Sequence, residues 1–162
     1  MNKIVLLWMI MISGLIAQTE ETFEAYLENL ATEFDIEQIQ ADSANLSRAV
    51  ILDVREKNEF EVSRLKNAIW VGYNNFEISK INSISIEQEI IVYCSVGYRS
   101  SEIGVELTVS GFKNVKNLYG GIFKWANEGR PLYNDSTQTI EIHAFNNEWG
   151  RFLTNPDLVK VY

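Results

Sequence analysis

The 162-residue chain has only one thiol and one imidazole side chain: one cysteine, Cys94, and one histidine, His143. A single cysteine excludes an internal disulfide, and one cysteine with one histidine is too few for a zinc site of the usual Cys/His type. We therefore predict no metal. No glycine-rich nucleotide-binding motif occurs either, so no cofactor is expected. His143 is predicted to be a solvated surface residue.

Basic residues are also scarce, at 14 against 22 acidic residues, which gives a formal net charge of −8. This balance disfavours nucleic acid and anionic membranes as partners, although a local pocket can still attract an anion. Only two prolines are present, and no internal repeat or low-complexity tract is visible. With 46% hydrophobic and 22% charged residues, the composition is typical of one globular domain. The sequence leaves the oligomeric state open.

The first 17 residues have the layout of a secretory signal. Lys3 precedes an unbroken apolar run from Ile4 to Ile12, and small residues lead to Ala17. This run is shorter than the ~20 residues that span a bilayer. We predict a signal peptide over residues 1–17 and a mature protein exported to a bacterial periplasm or to the extracellular space, with no stable membrane association. An uncleaved anchor is the alternative.

Short apolar runs alternate with amphipathic stretches along the rest of the chain. Strands are predicted at 49–54, 68–71, 90–93 and 115–119, and helices at 20–34, 56–62, 100–110 and 121–128. This alternation predicts an α/β fold, a single domain whose central parallel sheet is flanked by helices on both faces. The N-terminal helix falls within residues 18–34 and the domain within 35–132.

Residues 133–162 are predicted to form a C-terminal extension that packs on the domain. Ile140, Ile142 and Ala144 alternate with polar residues, which indicates a half-buried strand. Sealing the core is the favoured role, and a lid or partner surface is the alternative.

Cys94 directly follows Ile90–Tyr93, the clearest strand in the chain, and precedes a predicted helix. In an open parallel sheet, ligands bind at this carboxyl edge. The intervening loop is short, and Gly97 can take a positive φ, so successive backbone N–H groups can converge on one point. Such a cradle stabilises a thiolate and would hold an anion on its sulfur, which suits Cys94 to nucleophilic attack.

The chain resembles the rhodanese family in three stretches that occur in the family's order. The first is Leu52-Asp53-Val54-Arg55-Glu56 with Glu59-Phe60, and the second is the loop Cys94-Ser95-Val96-Gly97-Tyr98-Arg99-Ser100. The third comprises Gly111-Phe112, Leu118-Tyr119-Gly120-Gly121-Ile122, Trp125 and Gly129-Arg130-Pro131. The resemblance implies that Cys94 takes sulfur from a small anionic donor such as thiosulfate and passes it, as a persulfide, to a thiol or cyanide.

The same resemblance implies roles for residues around the nucleophile. The predicted substrate-binding residues are Ser95, Val96, Gly97, Tyr98, Arg99 and Ser100, and the predicted supporting residues are Asp53, Arg55 and Glu59. Arg99 would attract the anionic donor. For the three supporting residues, charge pairing beneath the loop is the alternative role.

One stretch departs from the family. Where the family usually has Gly-His-Ile-x-Gly-Ala, this chain has Ser63-Arg64-Leu65-Lys66-Asn67-Ala68, so no role is assigned to the missing histidine. Two other functions stay open. A cysteine phosphatase has five residues between its Cys and Arg, whereas four separate Cys94 from Arg99. A sulfur-relay or binding module would pass the persulfide to a protein partner.

Overall fold

A computed structural model describes residues 21–162 of the chain. The predicted signal segment, residues 1–17, lies outside the described residues. Within residues 21–162, no helix combines the length and apolarity needed to cross a bilayer.

The central element is a five-stranded, wholly parallel sheet in the order β1-β5-β4-β2-β3. In chain order the elements are α1 Phe23–Glu33, β1 Glu37–Ile39, β2 Val50–Asp53, α2 Lys57–Val62, β3 Ile69–Trp70, a 3₁₀ turn Ile78–Ile81, β4 Ile90–Tyr93, α3 Tyr98–Val109, β5 Val115–Leu118, α4 Gly121–Asn127, β6 Leu132–Asn134, β7 Thr137–Thr139, β8 Glu141–His143, α5 Asn147–Gly150 and β9 Val159–Val161. The predicted α/β class with a central parallel sheet is confirmed.

Both faces of this sheet are buried. Successive side chains of a strand point to opposite faces, so each face packs in its own hydrophobic cluster. Ile91 and Tyr93 of β4 pack in one hydrophobic cluster with residues of α4 and the C-terminal extension. Ile90 and Val92 pack in a second cluster with Ile103 and other residues of α3. Burial on both sides explains why the strands read as continuous apolar runs.

Several boundaries differ from the sequence prediction. Strand β1 was not predicted, because Glu37-Gln38-Ile39 is a mostly polar edge strand. Helix α3 begins at Tyr98 rather than near Ser100, because Gly97 takes a φ of 114° and serves as its N-cap. Within the stretch that departs from the family, Asn67 adopts a φ of 61° where the family has glycine. Asparagine is among the few residues that tolerate this conformation.

The C-terminal extension forms a β6–β7 hairpin, a parallel β8–β9 pair and the short helix α5. The predicted alternation along β8 is wrong. Ile140 is 57% exposed, whereas Ile142, His143 and Ala144 are all buried. His143 is therefore a buried residue, not a solvated one, because β8 packs against α2 of the domain.

Candidate active site

Cys94 lies at the carboxyl edge of the sheet, in the loop that joins β4 to α3. Its side chain is nearly buried, at 1% exposure. The backbone N–H of Gly97 donates to Cys94 Sγ at an N···S distance of 3.1 Å. The positive φ of Gly97 turns the chain into α3 directly after this N–H. The N–H···S contact fixes the position of the Cys94 side chain at the carboxyl edge of the sheet.

The start of α4 holds the nucleophile loop from below. Ile122 N–H donates to the carbonyl of Cys94 at 2.9 Å, and Phe123 N–H donates to that of Ser95 at 3.0 Å. Gly121 allows this approach, because a Cβ there would lie 2.4 Å from the Cys94 carbonyl oxygen. The N–H groups at the start of α4 thus fix the backbone carbonyls of Cys94 and of the residue after it.

Gly121→Ala is expected to lower the free energy of unfolding by about 2–4 kcal/mol, since it combines left-handed strain with overpacking against backbone. Denaturant unfolding measures this loss. The matched control is Gly129→Ala, which has a similar φ of 70° but no atom within 4 Å of the added Cβ. The control is expected to lose only about 1 kcal/mol. Equal losses in the two variants would show that Gly121 does not brace the loop.

The carbonyl of Gly97 collects three side-chain donors. Ser100 Oγ, Ser101 Oγ and Asn117 Nδ2 lie 3.1, 2.8 and 3.2 Å from it. Asn117 also bonds to Ser101 Oγ at 3.0 Å. Ser100, predicted to bind substrate, is thus fully buried with its hydroxyl bonded to the loop. Sequence reasoning missed Asn117, and a polar residue inside the apolar strand β5 was the available signal.

Arg99 and Glu59 form a bidentate ion pair beside the loop. Arg99 Nη1 lies 2.7 Å from Glu59 Oε2, and Nη2 lies 2.9 Å from Oε1. Ser95 Oγ contacts both residues at 3.0 Å. Burial raises the pKa of Glu59, but the hydrogen bond and charge of Arg99, with a smaller contribution from Arg55, outweigh it and leave that pKa lowered. The charge of Arg99 is therefore matched by a carboxylate inside the protein.

Asp53 and Arg55 form a second ion pair, and both are fully buried. Arg55 Nη2 lies 2.6 Å from Asp53 Oδ2 and 2.7 Å from the carbonyl of Ser63. The hydroxyl of Tyr93 donates to the same Asp53 oxygen. This arrangement joins the ends of β2 and β4 to the segment after α2. The structure thus places Asp53 and Arg55 beneath the site, as internal braces.

His143 approaches the domain from the C-terminal extension. The N–H of Phe145 donates to His143 Nδ1 at 3.0 Å, and His143 Nε2 lies 3.1 Å from Asn58 Nδ2. Burial is the main reason that the pKa of His143 is lowered, with Arg55 and Arg99 adding to it. The lowered pKa favours the neutral form of the ring, which links the extension to α2.

Protonation of His143 is expected to destabilise the fold. Its folded pKa lies below the ordinary 6.5, so its contribution is complete above pH 6.5 and is lost as pH falls. His143→Asn removes the titration but keeps an acceptor for the N–H two residues on. Between pH 8 and 5, the wild type should lose more unfolding free energy than this variant. Because the chain has no other histidine, parallel pH profiles would contradict the prediction.

A pocket of about 580 Å³ opens above Cys94. Its lining comes from α1, the nucleophile loop and the C-terminal extension: Glu21, Tyr26, Asn29, Leu30, Glu33, Cys94, Ser95, Val96, Tyr98, Arg99, Phe145 and Trp149. Of the predicted substrate-binding residues, four line the pocket and Gly97 contributes its N–H. Among the predicted supporting residues, Glu59 touches the pocket only through Arg99 and Ser95. The aromatic side chains from α1 and the extension were not predicted.

Residues 35–128 match the family model described as the rhodanese-like domain. The chain belongs to the rhodanese-like family. The matched span contains Cys94, its loop and both internal ion pairs. It ends before β6 and begins after α1, so two walls of the pocket lie outside the rhodanese-like domain.

Curated relatives of two kinds are similar to parts of this chain. A sulfurtransferase from Allochromatium vinosum is 26% identical over 103 residues, which are 64% of this chain and 95% of that protein. A tRNA uridine(34) hydroxylase from Cytophaga hutchinsonii is 32% identical over 84 residues, covering 49% of this chain but 27% of that protein. The rhodanese-like region thus spans only about a quarter of the hydroxylase.

Solved structures support the rhodanese fold. A rhodanese-related protein from Thermoplasma volcanium has a TM-score of 0.52 at 27% identity, covering 60% of this chain and 98% of that one. A protein from Bacillus halodurans has a TM-score of 0.53 at 22% identity, covering 68% of this chain and 82% of the other.

Proposed function

We propose that this protein is a sulfurtransferase that carries sulfane sulfur on Cys94 as a persulfide. The observation that carries the proposal is the position of Cys94 Sγ: it lies at the floor of a pocket and accepts the Gly97 N–H at 3.1 Å. The family and the Allochromatium vinosum sulfurtransferase agree with this chemistry. Thiosulfate is the simplest donor of the proposed class.

The transfer has two half-reactions with no net oxidation. In the first, the Cys94 thiolate attacks the outer sulfur of the donor; an S–S bond forms on Cys94, and the donor's own S–S bond breaks. Thiosulfate would leave as sulfite. In the second, an acceptor such as cyanide or a thiolate attacks the outer sulfur of the persulfide, and the Cys94 thiolate leaves. No general base is required, because both nucleophiles react as anions.

The loop supplies the electrostatics of both steps. The Gly97 N–H already points at the sulfur, and the positive end of α3 begins at the next residue. These fixed dipoles stabilise negative charge at the thiolate or persulfide without reorganisation. Burial lowers the pKa of the Arg99 guanidinium, but the hydrogen bond to Glu59 and the nearby Cys94 outweigh it and leave that pKa raised. Arg99 therefore stays charged beside the site throughout the cycle.

Turnover is the direct test of this proposal. With thiosulfate and cyanide, the full chain is expected to form thiocyanate, and double-reciprocal plots at several cyanide concentrations should be parallel, as a two-step covalent transfer requires. Intersecting plots would contradict a persulfide intermediate. If no thiocyanate forms, the protein does not transfer sulfur to cyanide, and that part of the proposal is contradicted.

A sulfur relay to a protein partner is the second candidate. The observation that favours it is the match to about a quarter of the tRNA uridine(34) hydroxylases, in which a rhodanese-like segment forms part of a longer protein. A relay would load Cys94 from a persulfide donor yet form no thiocyanate. If Cys94 gains sulfur and cyanide then removes that sulfur at a catalytic rate, the relay proposal is contradicted.

We also propose that the protein acts after export. Support comes from the apolar run Ile4 to Ile12 that ends in small residues at Ala17, and from a lone cysteine that is 99% shielded and so protected from stray oxidation. N-terminal sequencing of the native protein should find a start near Gln18. An intact Met1 in a cytosolic fraction would contradict export.

A further inference from the structure

The pocket above Cys94 carries little positive charge for an anionic donor. Arg99 is its only lysine or arginine among the described lining residues, and both of its Nη atoms contact Glu59. The other charged lining groups are the solvent-exposed carboxylates of Glu21 and Glu33; Glu21 Oε1 accepts a hydrogen bond from Asn29 Nδ2 at 3.3 Å. The chain as a whole carries a formal charge of −8, which adds to this field. A thiosulfate dianion would therefore find, among the described lining residues, no side-chain cation that lacks a carboxylate partner.

Aromatic rings form much of the wall. Tyr26 and Trp149 contact each other edge to face, with centroids 5.3 Å apart, and Tyr98 packs against Phe34 at the same distance. Phe145 already makes a cation–π contact: the guanidinium carbon of Arg99 lies 5.2 Å from the centroid of the Phe145 ring. Aromatic faces next to carboxylates attract organic cations through ring quadrupoles and direct charge.

The pocket is larger than a small inorganic anion requires. Its volume of about 580 Å³ lies in the range, roughly 300–1,000 Å³, of sites for organic ligands. Its added walls come from α1, Phe145 and Trp149, all outside the matched rhodanese-like residues 35–128. These walls therefore lie outside the residues that match the family model.

The negative field also acts on Tyr26. Burial contributes most to raising the pKa of this phenol, and the charges of Cys94, Glu33 and Glu21 raise it further. The nucleophile and both carboxylates thus act on the same part of the pocket.

We propose that the organic sulfur carrier of this site is an aminothiol, a thiol with a positively charged amine, which accepts sulfur from Cys94 or donates it as a persulfide. The inference rests on the proposed sulfurtransferase function. In transfer to the acceptor, its thiolate attacks the outer sulfur of the Cys94 persulfide, the S–S bond to Cys94 breaks, and an aminothiol persulfide leaves. The ammonium lies against the aromatic wall and the carboxylates of Glu21 and Glu33.

The test compares acceptors of one length that differ in terminal charge: cysteamine, 2-mercaptoethanol and 3-mercaptopropionate. The full chain is first loaded with sulfur, and the second-order rate constant for its loss to each thiol is measured. The decisive variant is the double substitution Glu21→Gln with Glu33→Gln. The intrinsic reactivities of the thiols cancel when rate-constant ratios are compared between proteins. The ratio for cysteamine over 3-mercaptopropionate should fall about tenfold, with about threefold from each exposed carboxylate.

A matched control removes two exposed carboxylates that do not line the pocket, through Glu106→Gln with Glu141→Gln. It changes the net charge equally and should keep the wild-type ratio. If the pocket double variant also keeps that ratio while sulfur transfer proceeds, the aminothiol inference is overturned and the sulfurtransferase proposal stands. If Cys94 never gains sulfur from thiosulfate or a persulfide donor, the proposed function itself fails.

Discussion

Cys94→Ser is expected to reduce thiocyanate formation on the order of 10⁴-fold or more, as removal of a covalent nucleophile does in other enzymes. A serine hydroxyl is a poor nucleophile toward sulfur, and no histidine lies next to it to remove its proton: the only one, His143, contacts Asn58 and the Phe145 backbone. Steady-state assays with thiosulfate and cyanide measure the loss.

This substitution should leave the fold intact. Serine is close to cysteine in size, and its oxygen can accept the Gly97 N–H that now faces the sulfur. Thermal unfolding should therefore shift by only a few degrees, in keeping with a change of about 1 kcal/mol. Cys94→Ala serves as the parallel variant without an acceptor. Thiocyanate formation by either variant at the wild-type rate would show that Cys94 is not the nucleophile.

Glu59→Gln is expected to cost about 3–5 kcal/mol of unfolding free energy, because it removes one partner of a buried ion pair and leaves Arg99 without its carboxylate. The Glu59 side chain is 2% exposed and that of Arg99 is 15% exposed. Denaturant unfolding at pH 7 measures the loss. The control is Glu61→Gln on the same helix: this carboxylate is 64% exposed and pairs with exposed Lys57, so the change should stay within about 0.5 kcal/mol.

The pH dependence gives this prediction a second readout. The pKa of Glu59 in the folded protein lies below its ordinary value of 4.5, so the unfolded chain binds the proton more readily. The stabilisation is complete above that ordinary value and is lost as pH falls through the folded pKa. The difference in unfolding free energy between wild type and Glu59→Gln should thus be constant near neutral pH and become smaller in acid. A gap that widens in acid would contradict the assignment of this ion pair.

The position of the Cys94 loop between a strand and a helix was predictable from sequence because its signals are local. An apolar run at Ile90–Tyr93, a cysteine at its end and Gly97 shortly after it define a strand, a turn and a helix start within a few residues. The parallel sheet was predictable for the same reason, since buried strands and helices alternate along the chain.

The surroundings of the loop were harder to predict, because they depend on long-range packing. Asn117 bonds to a carbonyl 20 residues away, and His143 contacts Asn58 across 85 residues. No local pattern fixes such pairs. Helix α1 was predicted as amphipathic, but the pattern could not show that Tyr26 would face Cys94. The predicted alternation of buried and exposed residues along β8 was wrong, because contacts with α2 bury both Ile142 and His143.

The most direct test of the account is the intact mass of the purified protein before and after exposure to thiosulfate. The wild type is expected to gain the mass of one sulfur atom, to lose it again on addition of cyanide, and to yield the modified peptide at Cys94. Cys94→Ser should gain nothing under the same conditions. A wild-type mass that stays unchanged with both thiosulfate and a persulfide donor, or added sulfur retained by Cys94→Ser, would contradict the central claim.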